Sequence, residues 1–385
     1  MPIKIGIVAG EASGDLLASR LIRAIKKCRP DIEFIGIAGP KMMAEGMTSI
    51  FPMDKLSLQG YGLDVLKQVP ALLKIRRQLY KHFINQSIDA FIGIDAPDFN
   101  FALEKKLKNK GINTIHYVSP SIWAWRKGRI KKIKRAVKLI LTLFPFEPAI
   151  YKKAKIKASF VGHPMADEIP LVPDVKLARE QLKLGQYAKV IAMLPGSRLG
   201  EVRQHADLFV KTAQNLAKDY PKTLFLVPLL TRDARNLFED AIFQNYHQDP
   251  EEIQPEIKVL FGHSDLAMQA ADFVLVASGT ATLEAALLKK PMVITYRVPR
   301  LSWMILKHMN YLPWVGLPNI LAKRFVVPEL LQHDATPENL ANTIGEMLSN
   351  RSVMREIRAE FTAMHKSLRQ GNADKAAQAI LASIR

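Results

Sequence analysis

Apolar residues recur along the chain in two rhythms. Short, mostly apolar runs rich in isoleucine, valine and leucine are IKIGIVAG from residue 3, EFIGIAG from 33, AFIGID from 90, NTIHYVS from 113 and LILTLF from 139. Five more follow: KVIAMLPG from 189, LFLVPLL from 224, IKVLFG from 257, FVLVAS from 273 and MVITYR from 292. Between them lie longer stretches whose apolar positions return every three or four residues. Apolar runs of this length mark strands buried on both faces, and their alternation with helical stretches predicts parallel sheets wrapped on both sides by helices. Between the fifth and sixth runs, GHPMADEIPLVPDVKL crowds Pro164, Pro170 and Pro173 together without periodicity. That predicts a linker near residue 170 between two doubly wound α/β domains. Towards the other end a helical stretch stops at Gly371, and Asn372 is placed to cap a last helix.

Composition agrees with two domains, since 385 residues, about half of them apolar, exceed one ordinary core. No stretch approaches the roughly 18 to 20 apolar residues needed to span a bilayer, and the first residues run into a strand without a cleavage signature. A cytoplasmic protein is expected. The single cysteine, Cys28, excludes an internal disulfide and a cysteine cluster, and is expected to pack in the interior. Charge is uneven: residues 1–170 hold 29 Lys and Arg against 14 Asp and Glu, which is +15 of the total +19. Such a field draws an acidic partner to that half, whether nucleic acid, an anionic membrane surface or phosphorylated substrates.

In open parallel sheets ligands bind beyond the carboxyl ends of strands, and the candidate chemistry follows the strand runs. The turn AGEASGD offers Glu11, Ser13 and Asp15 at a helix start. It lacks the P-loop lysine and the G-x-G-x-x-G spacing, and its carboxylates suit sugar hydroxyls better than a diphosphate. In GIDAPDFN, Asp95 could act as a general base on an alcohol, while Asp98 suits the helix cap. LPGSR offers Gly196, Ser197 and Arg198 to a phosphate, and SGTATLE repeats that design with Ser278, Gly279 and Thr280. Glu284 lies one turn in, where it could hold a ribose. Two such turns argue for a nucleotide at the interdomain cleft. Asn319 stands between turn formers in GLPNILA.

Two stretches carry surface chemistry. SPSIWAWRKGRIKKIKRAVK sets Trp123 and Trp125 beside eight basic residues between Arg126 and Lys138, with Ile130, Ile133 and Val137 as an apolar stripe. Residues 62–84 interleave Val69, Leu72, Leu73, Ile75 and Arg76 in a helix carrying more apolar positions than one buried face needs, with Pro70 to start or kink it.

AGEASGD, GIDAPDFN, HYVSPSIWAW, FVGHPMAD, LPGSR, SGTATLE and LPN, in this order from about residue 5 to residue 332, resemble the lipid-A-disaccharide synthase family of bacterial glycosyltransferases. The resemblance implies a GT-B arrangement of two Rossmann-like domains facing across a cleft. Residues 1–170 would form the acceptor and membrane domain, residues 171–365 the UDP-sugar domain, and residues 366–385 a helix returning to, or swapped onto, an N-terminal domain of a possible homodimer. The implied reaction is inverting transfer from UDP-2,3-diacylglucosamine to 2,3-diacylglucosamine 1-phosphate, giving a β-1,6-linked disaccharide and UDP without metal or other cofactor. Asp95 matches the family's catalytic aspartate and Asn319 an asparagine important in the family, with Arg198 supporting the departing UDP. Glu11, Ser13, Asp15 and Asp98 fall on the sugar side. Acylated substrates give the basic half and the helix around Leu72 and Leu73 a purpose: peripheral attachment to the anionic inner face of the inner membrane, not nucleic-acid binding. The competing readings are another UDP-sugar transferase, a UDP-GlcNAc epimerase, and a basic nucleic-acid-binding protein with steeply salt-dependent binding.

Overall fold

The computed structural model of the chain describes residues 3–56, 63–124, 127–185, 187–248, 253–299, 303 and 312–384. The chain divides into two compact units, Met1–Asp167 with Ser367–Arg385, and Glu168–Lys366.

In the first unit a seven-stranded parallel sheet is built from β1 (Lys4–Ala9), β2 (Glu33–Ala38), β3 (Thr48–Pro52), β4 (Ala90–Ile94), β5 (Asn113–Tyr117), β6 (Leu139–Thr142) and β7 (Lys157–Phe160). Its order is β3-β2-β1-β4-β5-β6-β7, so the chain reverses its direction of travel between β1 and β4. Alternation along each strand feeds both faces. Ile5, Ile7 and Ala9 join Ile92, Ile94 and Ile115 under the helix Ala12–Cys28 and the last helix, Asn372–Ile384, which contributes Ala376, Ala377 and Ile380. Val8, Ile37 and Phe91 point the other way, onto Ile75, Leu79 and Phe83 of the helix Leu63–Asn85 and Leu103 and Leu107 of the helix Pro97–Lys108.

The second unit repeats the plan with six strands: β8 (Lys189–Leu194), β9 (Thr223–Leu229), β10 (Glu256–Phe261), β11 (Phe273–Ala277), β12 (Met292–Tyr296) and β13 (Glu329–Leu331). Their order is β10-β9-β8-β11-β12-β13, all parallel, with the reversal between β8 and β11. Two Rossmann-like units result. Every one of the ten apolar runs contains a strand, and β3, β7 and β13 are additional.

Two expectations change here. Cys28 is exposed at the end of its helix rather than packed inside. Asn372 does not serve as the cap: the carboxylate of Asp167 accepts the N–H of Gly371 at 3.0 Å and that of Asn372 at 2.5 Å. The Asn372 side chain instead accepts from the Tyr117 hydroxyl and donates to the Gly162 carbonyl, which fastens the last helix to β5 and the end of β7.

Candidate active site

The reversal point of each sheet opens at the carboxyl ends of its strands, where neighbouring connections leave to opposite faces. In the second unit this place holds a cavity of about 400 Å³, lined by Gly196, Ser197 and Arg198 after β8 and by Ser278, Gly279, Thr280 and Glu284 after β11. A larger hollow of about 860 Å³ lies between the helices Leu199–Asp219 and Pro337–Ser349. Its residues, such as Asn215 and Asp219, come from the far end of the first helix, away from the strand tips where chemistry collects.

The two turns differ. Glu201, given no role from the sequence, directs Oε2 at the N–H groups of Ser197, 2.9 Å, and Arg198, 3.2 Å. Those donors were the expected phosphate cradle, and the chain's own carboxylate occupies them, making the acidic half of a capping box whose N-cap residue, Arg198, has no acceptor to complete it. Gly196 at φ +127° makes this fit, since a Cβ there would collide with Glu201. The Arg198 guanidinium remains exposed, 3.8 Å from Glu201 Oε1. After β11, Gly279 at φ +144° is the N-cap of the helix Thr280–Leu287 and has no side chain to cap it. A Cβ at Gly279 would meet nothing within 4 Å, so the helix start is approachable by a ligand. Ser278 anchors the turn, its N–H donating to the Thr295 carbonyl at 3.1 Å. One turn in, burial and then the neighbouring Asp265 push the Glu284 carboxyl up to about 6. It is ionised near neutrality and able to accept from a pair of hydroxyls.

In the first unit β1 and β4 pair to their ends, Ala9 opposite Ile94, so the turns bearing Glu11 and Asp95 leave side by side. A Cβ on Gly10 would lie 3.2 Å from that of Ala96. Asp95 is exposed, and both it and Ala96 have left-handed backbone, φ +46° and +42°. That conformation costs roughly 1–2 kcal/mol per non-glycine residue, and such strain gathers at functional sites. Beneath the turn lies Asn100, fully buried. It is the last letter of GIDAPDFN and had no assigned role.

Several expected residues are engaged elsewhere. Asp15 is 3 % exposed, and its two oxygens accept from the N–H groups of Lys41 and Met42, each at 3.0 Å. It caps the neighbouring helix Pro40–Ala44, which leaves Glu11 and Ser13 as the exposed side chains of its own turn. Asp98 does not cap its helix, whose N-cap residue is Ala96; its exposed carboxylate takes the Arg129 guanidinium at 3.0 Å. Asn319 is fully buried and its amide is saturated internally. Its nitrogen donates to the Val327 carbonyl and Glu329 Oε1, and its oxygen accepts from the N–H groups of Val326 and Val327. It braces β13 and the residues leading into it, Glu329 in turn accepts from the N–H groups of Val315 and Gly316, and the Asn319 amide has no free group for a reacting sugar. The turns bearing Glu11 and Asp95 thus adjoin in the first unit, where Gly10 faces Ala96, and the phosphate-type turns adjoin in the second, while Asp15 and Asn319 serve the scaffold.

On the helix Leu63–Asn85 the five expected surface residues separate. Val69 and Leu73 are 38 % and 48 % exposed. Ile75 is buried and Leu72 partly buried in the core, so neither is part of an outward face. Arg76 lies beside the Phe99 ring, 6.0 Å from its centroid, and burial lowers its pKa. The short helix Ile130–Ala136 hides Ile133 and Ala136 while Lys131, Lys132, Lys134 and Arg135 reach solvent. Trp125, Arg126 and Gly62 lie outside the described residues. Trp123 donates to Glu147 at 3.2 Å and meets Phe146 edge-on. No helix among the described residues is long and apolar enough to cross a membrane.

Comparison with known proteins bears on the family and the fold. The family model described as Lipid-A-disaccharide synthetase matches residues 5–383. The Lipid-A-disaccharide synthase of Methylobacillus flagellatus is 59% identical over 381 residues, covering 99% of either chain. That of an Azoarcus species is 53% identical over 381 residues, covering 99% of this chain and 96% of its own. Among solved structures, the UDP-GlcNAc 2-epimerase of Neisseria meningitidis bound to UDP-GlcNAc superposes with a TM-score of 0.61 at 12% identity, covering 99% of both chains. The sucrose-phosphate synthase of Thermosynechococcus elongatus gives 0.58 at 14% identity, covering 99% of this chain and 98% of its own. At such low identity these two show a shared fold.

Proposed function

The chain belongs to the lipid-A-disaccharide synthetase family, and from that premise we propose how its residues divide the work. It is a glycosyltransferase that forms the lipid A disaccharide from a UDP-sugar donor and a sugar-phosphate acceptor. In our reading the donor is UDP-2,3-diacylglucosamine and the acceptor 2,3-diacylglucosamine 1-phosphate. The acceptor's 6-hydroxyl oxygen attacks the donor's anomeric carbon from the face opposite UDP. The carbon–oxygen bond to the β-phosphate breaks, UDP leaves with the electron pair, and the hydroxyl proton passes to the Asp95 carboxylate. Inversion follows from that geometry and gives a β-1,6 linkage.

The diphosphate rests on the helix start at Gly279 and Thr280, where backbone N–H groups and the helix dipole favour negative charge, and Arg198 neutralises what develops as UDP departs. Glu284 accepts from the ribose hydroxyls. Glu11 and Ser13 orient the acceptor sugar. Val69 and Leu73, flanked by exposed Lys74 and Arg77, dip into the membrane surface while the lysines of the helix Ile130–Ala136 meet anionic headgroups. The protein then works peripherally at the inner face of the inner membrane.

The observation that carries this reading is the exposed Asp95 carboxylate, held just past β4 by two consecutive left-handed residues. Transfer between the two acylated substrates in detergent micelles, followed by released UDP, tests it. Turnover in the wild type with a loss of at least about 10²-fold in a folded, UDP-binding Asp95→Ala variant supports it. A variant that retains its turnover moves the base elsewhere, and a wild type that binds UDP without transfer overturns the substrate assignment.

A further inference from the structure

We propose that Asn100 is a positioning residue for this reaction: its buried side-chain amide holds Asp95 and Ala96 in the left-handed turn that aims the carboxylate. The proposal rests on the reading of Asp95 as the base.

Asn100 stands in the first turn of the helix Pro97–Lys108 with its Nδ2 directed at three carbonyl oxygens. It donates to Asp95 at 2.8 Å and to Ile94 at 3.3 Å, with the Val8 carbonyl farther off at 3.5 Å. All three neighbours are acceptors, so the orientation of the amide is fixed by chemistry: the nitrogen, not the oxygen, must face them. Asn100 Oδ1 is buried with no hydrogen-bond partner among the described residues. A residue kept at the expense of an unsatisfied oxygen is held for its donor half. Leucine would supply no donor, and aspartate would press a carboxylate against three carbonyls.

The carbonyls it gathers are informative. Val8 lies near the end of β1 and Ile94 ends β4, the two strands whose turns carry Glu11 and Asp95. The Asp95 backbone is thereby held on both sides, its N–H donating to the Tyr117 carbonyl of β5 at 2.9 Å and its carbonyl accepting from Asn100. The Ala96 carbonyl takes the N–H groups of Phe99 and Asn100 at 3.1 and 3.0 Å, which ties the strained turn to the helix behind it. That helix has little room to shift: a Cβ at Gly93 of β4 would come within 2.9 Å of Asn100 Cβ and would collide with Glu104. Glu104 is itself locked in a buried pair with His116 at 2.7 Å. Without the amide, the turn loses the bond that offsets its positive φ values. A relaxation of either residue towards ordinary backbone swings the carboxylate away from the hydroxyl it deprotonates.

The test measures kcat, donor KM, UDP affinity and melting temperature for Asn100→Ala, Asn100→Ala with Ala96→Gly, and Asp95→Ala. For Asn100→Ala we expect kcat to fall about 10²-fold, the cost of a catalytic group displaced by about 1 Å. Donor KM and UDP affinity should stay within about twofold. Adding Ala96→Gly should restore about tenfold of the loss, because glycine adopts positive φ without strain. A role confined to folding would lower the melting temperature and leave both kcat per folded enzyme and the glycine rescue without effect. A kcat within about threefold of wild type, or no rescue, overturns the proposal. Should Asn100→Ala fail to fold, Asn100→Ser keeps a small polar group too short to reach the Asp95 carbonyl. It should show the same loss and rescue, and an unchanged kcat there overturns the proposal equally. If Asp95→Ala still turns over, the base assignment has failed and this proposal falls with it. If Asp95→Ala is inactive while Asn100→Ala matches wild type, only this proposal fails.

Discussion

Past β4 in the first unit, the left-handed positions are Asp95 and Ala96; past β8 and β11 in the second, they are Gly196 and Gly279. The settings correspond, since each turn leaves a strand beside the reversal point of a parallel sheet and feeds a helix. What differs is the part of the residue that works. At Gly279 the backbone itself is to meet a phosphate, and a Cβ would stand in the approach. At Gly196 the backbone already meets a carboxylate, that of Glu201. At Asp95 a side chain must be aimed, so a Cβ is indispensable and its backbone strain is accepted and held in place by neighbours. Glycine marks where main chain is the ligand, and a strained non-glycine residue marks where a side chain is.

Exchanging the two solutions breaks the comparison most sharply. Asp95→Gly gives the first unit the second unit's kind of turn. It relieves strain and removes the carboxylate, so the melting temperature should hold or rise while UDP release falls by roughly 10²–10⁴-fold, the range for losing a general base. A variant that loses activity together with its fold would show that the turn serves stability instead. The reverse exchange, Gly279→Ala, imposes a left-handed alanine and points a methyl into the open approach. The strain weighs on the free and the bound protein alike and costs stability, roughly 1–3 kcal/mol; the methyl in the diphosphate's path is what weakens binding, so UDP affinity measured by calorimetry should fall about tenfold or more. An unchanged affinity would place the diphosphate away from this helix start.

The legible part of the molecule was the part buried on both sides. The interior strands announced themselves as continuous apolar runs, and so did β10 at one edge. Strands β3, β7 and β13 did not: each lies at a sheet edge and is largely half-buried, so its residues need not be uniformly apolar. Sites directly after strands were equally readable, because a parallel sheet decides where its loops emerge. Partners distant in sequence were hidden. Asp15 looks like a ligand-facing carboxylate until the N–H groups of residues 41 and 42 are brought to it, and Asn319 looks like a loop amide until β13 closes over it. Ile75 and Leu73 belong to the same apolar helix, and only the position of the sheet decides that one packs inward and the other faces out. Glu201 did have a local signal, an acid at the third position of its helix, which is the capping-box spacing.

The smallest effect sharpens the comparison within the second unit, where the open turn carries an acid one turn in and the closed turn has its own acid folded back. If Glu284 faces the ribose, ligand binding should follow its ionisation. Burial and Asp265 hold its carboxyl up at about 6 in the free protein, so the neutral form predominates at pH 5 and the charged form at pH 7. The charged form accepts two hydroxyls; the neutral form offers a weaker acceptor. Affinity should therefore rise several-fold from pH 5 to pH 7 and then level, with a proton released on binding below pH 6. Stability of the free unit runs the opposite way: a carboxyl raised by burial favours folding while neutral, and that contribution is lost as pH rises through about 6. Uridine is the suitable probe, because UDP carries a phosphate that titrates in the same window. Glu284→Gln, which keeps an acceptor at every pH, should flatten the uridine profile. A slope that survives in that variant would assign the titration to another group and remove the ribose from Glu284.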